Sequence, residues 1–97
     1  MEKRKELDVL LTMKDYRTDA AGRIRIVVNL KSASDATNVI SQIRSNGGAI
    51  DQAGEFPFVI GRLQPKKLRV LIQLPGVVNV EVPDQGVHNL TGTGSRN

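Results

Sequence analysis

The stretch Leu63-Gln64-Pro65-Lys66-Lys67-Leu68-Arg69-Val70-Leu71-Ile72-Gln73-Leu74-Pro75-Gly76-Val77-Val78-Asn79-Val80-Glu81 decides the fold, because it holds a strand end, a short helix, a tight turn and a new strand. Leu63 closes an extended apolar segment, and Pro65 suits the first helical position, where a missing N–H costs nothing. Leu68, Leu71 and Ile72 then fall on one helical stripe. Pro75-Gly76 stops that helix ahead of a valine-rich strand over residues 77–82.

Upstream, Ala49 to Ala53 and Phe56 to Leu63 are two extended segments separated by Gly54-Glu55, the spacing of a hairpin. Ahead of them, Ala36, Val39, Ile40 and Ile43 form one apolar stripe, with Ser34 or Asp35 as the expected cap and Gly47-Gly48 as a left-handed stop. Ile24 to Leu30 is β-branched and alternating, with Ile24, Ile26, Val28 and Leu30 on one face. Asp19-Ala20-Ala21-Gly22 reads as a loop. The charged residues 1–22, with Leu7, Val9, Leu10, Leu11 and Met13 among them, fit either a short amphipathic helix or an extra strand.

Strand, helix, strand, strand, helix, strand is the split βαβ order. The expectation is an α+β fold, a ferredoxin-like βαββαβ sandwich with a four-stranded antiparallel sheet and two helices on one face. Such a sheet has one buried and one open face. A fold shared by many unrelated functions leaves the open face and the tails to supply the function. The expected organisation is an N-terminal extension at residues 1–22, a domain at 23–86 and a C-terminal tail at 87–97 that is flexible when unbound.

Composition narrows the classes. Ninety-seven residues suit one domain with a modest core. No cysteine is present, which excludes disulfides and thiolate metal sites, and the single histidine, His88, excludes a His-rich zinc site. No stretch approaches the roughly 20 apolar residues of a membrane span. The net charge is +4, but Lys and Arg are interspersed with Asp and Glu along the whole chain, as on an ordinary solvated surface. The tightest basic cluster, Lys66-Lys67-Arg69, stands at a helix start, where the dipole does not favour it.

No enzyme is expected. His88 has no cysteine partner and no orienting carboxylate beside it. Gly47-Gly48 and Gly92-Thr93-Gly94 lack the context of a phosphate-binding or dinucleotide loop, and Asp51, Glu55, Glu81 and Asp84 are too scattered for an acid–base pair or a metal cage. Neither cofactor nor metal is therefore expected. One rival reading is an RNA-recognition module, which shares this element order. Phe56-Pro57-Phe58-Val59 resembles the aromatic core of its third-strand motif and Val28-Asn29-Leu30 the end of its first-strand motif. Ile26 replaces the first-strand stacking aromatic, and Gly54-Glu55 replaces the basic-Gly opening, so nucleic acid is not the expected partner. A third reading is a small-ligand regulatory module of the ferredoxin-like type, which needs a dimer interface that binds a metabolite.

The segment from Leu63 through Glu81, together with Ile26-Val27-Val28 and Gly47-Gly48-Ala49-Ile50 in the same order, resembles the subtilisin propeptide family, which includes stand-alone proteinase inhibitors. The resemblance covers roughly residues 24–90. It implies that the open sheet face packs on two surface helices of a subtilisin-like serine protease, and that acidic residues at the end of the last strand cap those helices. Glu81 lands on the matching position, and the expected alternation of Val78, Val80 and Val82 towards the core turns it to the open face. The second acidic position falls at Pro83, with Asp84 one residue late. The resemblance further implies that the segment after the last strand enters the protease cleft in extended form, Leu90 filling the primary pocket and Val87 the pocket three residues upstream. The expected protease-binding residues are therefore Glu81, Asp84, Val87, His88, Asn89 and Leu90. Without the resemblance, Glu81 reads as a solvated glutamate and residues 87–90 as a tail with two apolar residues.

The expected function is inhibition of a subtilisin-like serine protease, with a further role as an intramolecular-chaperone-like folding template, by a domain that is a monomer when free and does not engage membranes. Glu2-Lys3-Arg4-Lys5-Glu6 is followed by no uninterrupted apolar run, so a cytoplasmic location is expected, or a secreted one if the chain is an excised propeptide.

Overall fold

The computed structural model describes residues 18–54, 56–83 and the backbone of residues 87–91. Five strands and two α-helices follow one another as β1 (Ile24–Leu30), α1 (Ala36–Ser45), β2 (Ala49–Ala53), β3 (Phe58–Leu63), α2 (Leu68–Ile72), β4 (Val77–Val82) and β5 (Val87–Thr91). The first four strands form the antiparallel sheet β2-β3-β1-β4 of the ferredoxin-like fold, and β5 adds a fifth strand beside β4.

The alternation of β1 sets the two faces of the sheet. Ile24, Ile26 and Val28 are fully buried and Leu30 nearly so, while Arg25, Val27 and Asn29 lie on the other side. Val59 and Leu63 of β3 and Val80 and Val82 of β4 join the buried side. Ala36, Val39 and Ile43 of α1 and Leu68 and Leu71 of α2 complete this core, with Ile40, Ile50, Ile72 and Leu74 packed at its margin. Each fully buried Leu, Ile or Val contributes about 1.5–3 kcal/mol relative to an exposed one, and in a chain without disulfides this layer carries the stability.

Local details depart from the sequence reading where side chains or register intervene. Asp35, one of the two expected residues, holds the N-cap position of α1, but its side chain makes no capping hydrogen bond. Ser32 caps the 3-10 turn over Ala33–Asp35 that leads into α1, its hydroxyl accepting from the Ser34 N–H. At the other end of α1, Gly48 N–H donates to Ile43 O at 2.8 Å and Gly47 N–H to Arg44 O at 3.2 Å, with Gly47 at a φ of 85°. This pair of bonds is a Schellman motif, and its left-handed residue is the expected stop.

The second helix is likewise divided, with a 3-10 turn at Pro65–Lys67 ahead of the five residues of α2. Val77 N–H then reaches Leu74 O at 3.3 Å, and Gly76 has a φ of 87°, so Leu74-Pro75-Gly76-Val77 closes as a type II turn. β3 starts at Phe58 rather than Phe56. In β4 the expected inward set of Val78, Val80 and Val82 is corrected. A register shift opposite Asn29 and Leu30 turns Val77 into the core, and Val78 is only half-buried.

The largest departure lies after β4. Residues 87–91, expected as a tail, run antiparallel to β4 with Val82 opposite Val87, Val80 opposite Leu90 and Asn79 opposite Thr91. The outer edge of β4 otherwise presents unpaired N–H and C=O groups, and a β-branched segment within reach satisfies them.

Candidate functional site

The face of the sheet away from the helices is the candidate site. Cross-strand register arranges it in rows: Arg25 stands opposite Arg62, Val27 opposite both Ile60 and Glu81, and Asn29 opposite both Phe58 and Asn79. Its centre is apolar and half-buried, through Val27, Ile60 and Phe58. One end is basic and the β4 side carries a carboxylate.

At the β1–β4 junction the Asn29 side-chain nitrogen donates to Asn79 Oδ1 at 2.7 Å and to Glu81 Oε2 at 2.8 Å. These bonds hold the Glu81 carboxylate on the open face, as the alternation of Val80 and Val82 requires. Among the described residues no cation pairs with Glu81.

At the opposite end, Arg62 Nε donates to Asp51 Oδ2 at 3.2 Å, and its guanidinium lies 3.8 Å from Asp19. Asp19 in turn accepts from the N–H groups of Ala21 and Arg23 and from Arg23 Nε. The backbone hydrogen bond from Arg23 is the main cause that holds the Asp19 carboxyl below its ordinary range, with partial burial working against it. The loop ahead of β1 is thereby fastened to Arg62 at the end of β3.

Phe56 and Phe58, the residues behind the RNA reading, stack on each other, with ring centroids 5.6 Å apart and an interplanar angle of 12°. Beside them Gln52, Ala53 and Gly54 complete an open hollow of about 220 Å³ at the tip of the β2–β3 hairpin. A ring pair in mutual contact occupies one of the two faces each ring would offer to a base.

Of the expected protease-binding residues, Glu81 sits on the open face. Asp84 lies outside the described residues. Val87, His88, Asn89 and Leu90 lie within β5, of which only the backbone is described, so their extended course is defined and their pockets are not. Asn29 and Asn79 were not singled out from the sequence. Their one signal there is a polar residue in the middle of an apolar strand, and the expected fold sets β4 beside β1 without giving the register that places residue 29 opposite residue 79. No group of three or more histidine or acidic side chains able to hold a metal occurs among the described residues, and no helix there is long and apolar enough to cross a membrane. Comparison of the chain with protein-family models, with curated proteins and with solved structures finds no match.

Proposed function

We propose that this domain binds and inhibits a subtilisin-like serine protease, docking through the open sheet face and feeding residues 87–90 into the active-site cleft. The observation that carries this reading is the Glu81 carboxylate, held by Asn29 beside the apolar strip of Val27 and Ile60 with no internal cation among the described residues. A partner that presents the N-terminus of a surface helix supplies the missing charge complement. Such a contact contributes about 0.3–1 kcal/mol at an exposed site and up to about 2 when partly buried.

The extended course of Val87–Thr91 supports the second contact, since a segment already in strand conformation has less entropy to lose on pairing with the edges of a cleft. In this reading Leu90 fills the primary pocket and Val87 the one three residues upstream. Asp84 is a second acidic contact, and His88 and Asn89 run through the cleft between the two anchors. The same docking lets the domain act as a folding template for its protease.

The test is a titration of subtilisin activity with the purified domain and with a variant that lacks residues 87–97. Inhibition that collapses on truncation supports the reading. An intact domain that is inert against a panel of subtilisin-like proteases, or is digested by them, overturns it.

A further inference from the structure

Asn29 donates to two acceptors at once, and that arrangement fixes what Asn79 and Glu81 offer to a partner. Asn79 Oδ1 and Glu81 Oε2 are both engaged by the Asn29 nitrogen. The Asn79 amide nitrogen is left as a donor and Glu81 Oε1 as an acceptor, and neither has a hydrogen-bond partner among the described residues. The two groups sit on one strand with the spacing of alternate residues, so they face the same side a few ångströms apart.

A donor and an acceptor side by side are poorly matched to a lysine or arginine side chain, which brings donors only. The first turn of a helix brings both kinds of group. Its N–H groups lack intrahelical acceptors, and its cap residue carries an oxygen beside them. Val27, directly opposite Glu81, and Ile60 beyond it provide an apolar bed for the hydrophobic residue that often flanks such a cap.

We propose that Asn29, Asn79 and Glu81 form one preorganised patch that grips the N-terminus of a partner helix capped by Ser, Thr, Asp or Asn. Glu81 Oε1 accepts from first-turn N–H groups, the Asn79 amide donates to the cap oxygen, and Asn29 is the positioning residue that holds both. The proposal rests on the protease-binding reading and specifies which chemistry on the protease surface is met.

Two measurements test it. In the free domain, side-chain scalar couplings of Glu81 report its rotamer without any protease. A single rotamer that becomes averaged in Asn29→Ala supports the positioning role, and averaging already in the wild type overturns it. Against a protease that the intact domain inhibits, Asn29→Ala and Asn79→Ala are each expected to weaken inhibition about five- to tenfold. Their thermal midpoints should stay near that of the wild type.

In a background that carries both Glu81→Ala and Asn79→Ala the Asn29→Ala loss should vanish, because its effect runs through those two side chains. An undiminished loss in that background marks Asn29 as merely structural and overturns the proposal. So does a complex in which a lysine or arginine side chain, rather than main-chain N–H groups, meets Glu81. A domain that inhibits no subtilisin-like protease refutes the functional reading, and the couplings of Glu81 still decide whether Asn29 positions it.

Discussion

The place a Cβ would take on Gly61 of β3 is filled by the main-chain carbonyl oxygen of Ala49 on β2. Gly61 is buried and lies between Ile26 of β1 and Ile50 of β2. A backbone atom yields far less readily than the tip of a flexible side chain, so a methyl group there pushes the edge strand away from the sheet. Gly61→Ala is expected to destabilise the domain by about 2 kcal/mol, which lowers the thermal midpoint by about 10 °C. An unchanged midpoint would mean that β2 shifts without cost.

The hydrogen bonds to Asp19 make the loop ahead of β1 sensitive to acid. Its carboxyl titrates below the ordinary value of 3.8 in the folded chain, chiefly because of the backbone hydrogen bond from Arg23. A depressed folded-state pKa contributes stability that is present above the unfolded value and is lost as pH falls through the folded one. The midpoint gap between wild type and Asp19→Asn should therefore be widest near neutral pH and close below about pH 3.8. A gap that stays constant through that range would contradict the assignment.

Pairing of β5 with β4 gives the amides of residues 87–91 a defined test. In the free domain those that bond to β4 should exchange with solvent more slowly than amides of an unstructured peptide, as edge-strand hydrogen bonds open locally rather than not at all. When the domain binds its protease, the cleft edges replace β4 as partners, so protection should persist while the β4 amides facing β5 become less protected. Exchange at peptide rates in the free domain would contradict the fifth strand.

Phe56 is 61% exposed and precedes β3. Phe56→Ser should change stability by no more than about 0.5 kcal/mol. Fluorescence anisotropy with a labelled single-stranded RNA should detect no binding by the wild type. RNA affinity that depends on Phe56 and Phe58 would displace the protease reading in favour of a nucleic-acid one.

Much of the fold was legible because short-range physics dictates it. The alternation of Ile24, Ile26, Val28 and Leu30 gave β1 its bounds, and the Pro75-Gly76 pair marked the turn into β4. The side-chain cap at Ser32 is not legible in the sequence, because several polar residues in a row can all serve and only the course of the 3-10 turn ahead of α1 selects among them. A strict two-residue period puts Val77 outside the core, whereas the register shift opposite Asn29 and Leu30 adds a residue and turns it inward.

The candidate site divides along the same line. Glu81 was found from the sequence because its position relative to Val80 and Val82 fixes which face it takes. Asn29 was not, because residues 29 and 81 become neighbours only when β1 pairs with β4. What the sequence determined by itself is the order and type of the six core elements and the inward or outward sense of most strand residues, since these follow from periodicity and turn chemistry within a few residues. What only the tertiary structure decided is strand register, and with it the Asn29–Asn79–Glu81 patch and the Arg25–Arg62 pairing, together with the attachment of β5. Hydrogen bonds across a sheet join residues far apart in the chain, and no local pattern records which edge will be free to receive them.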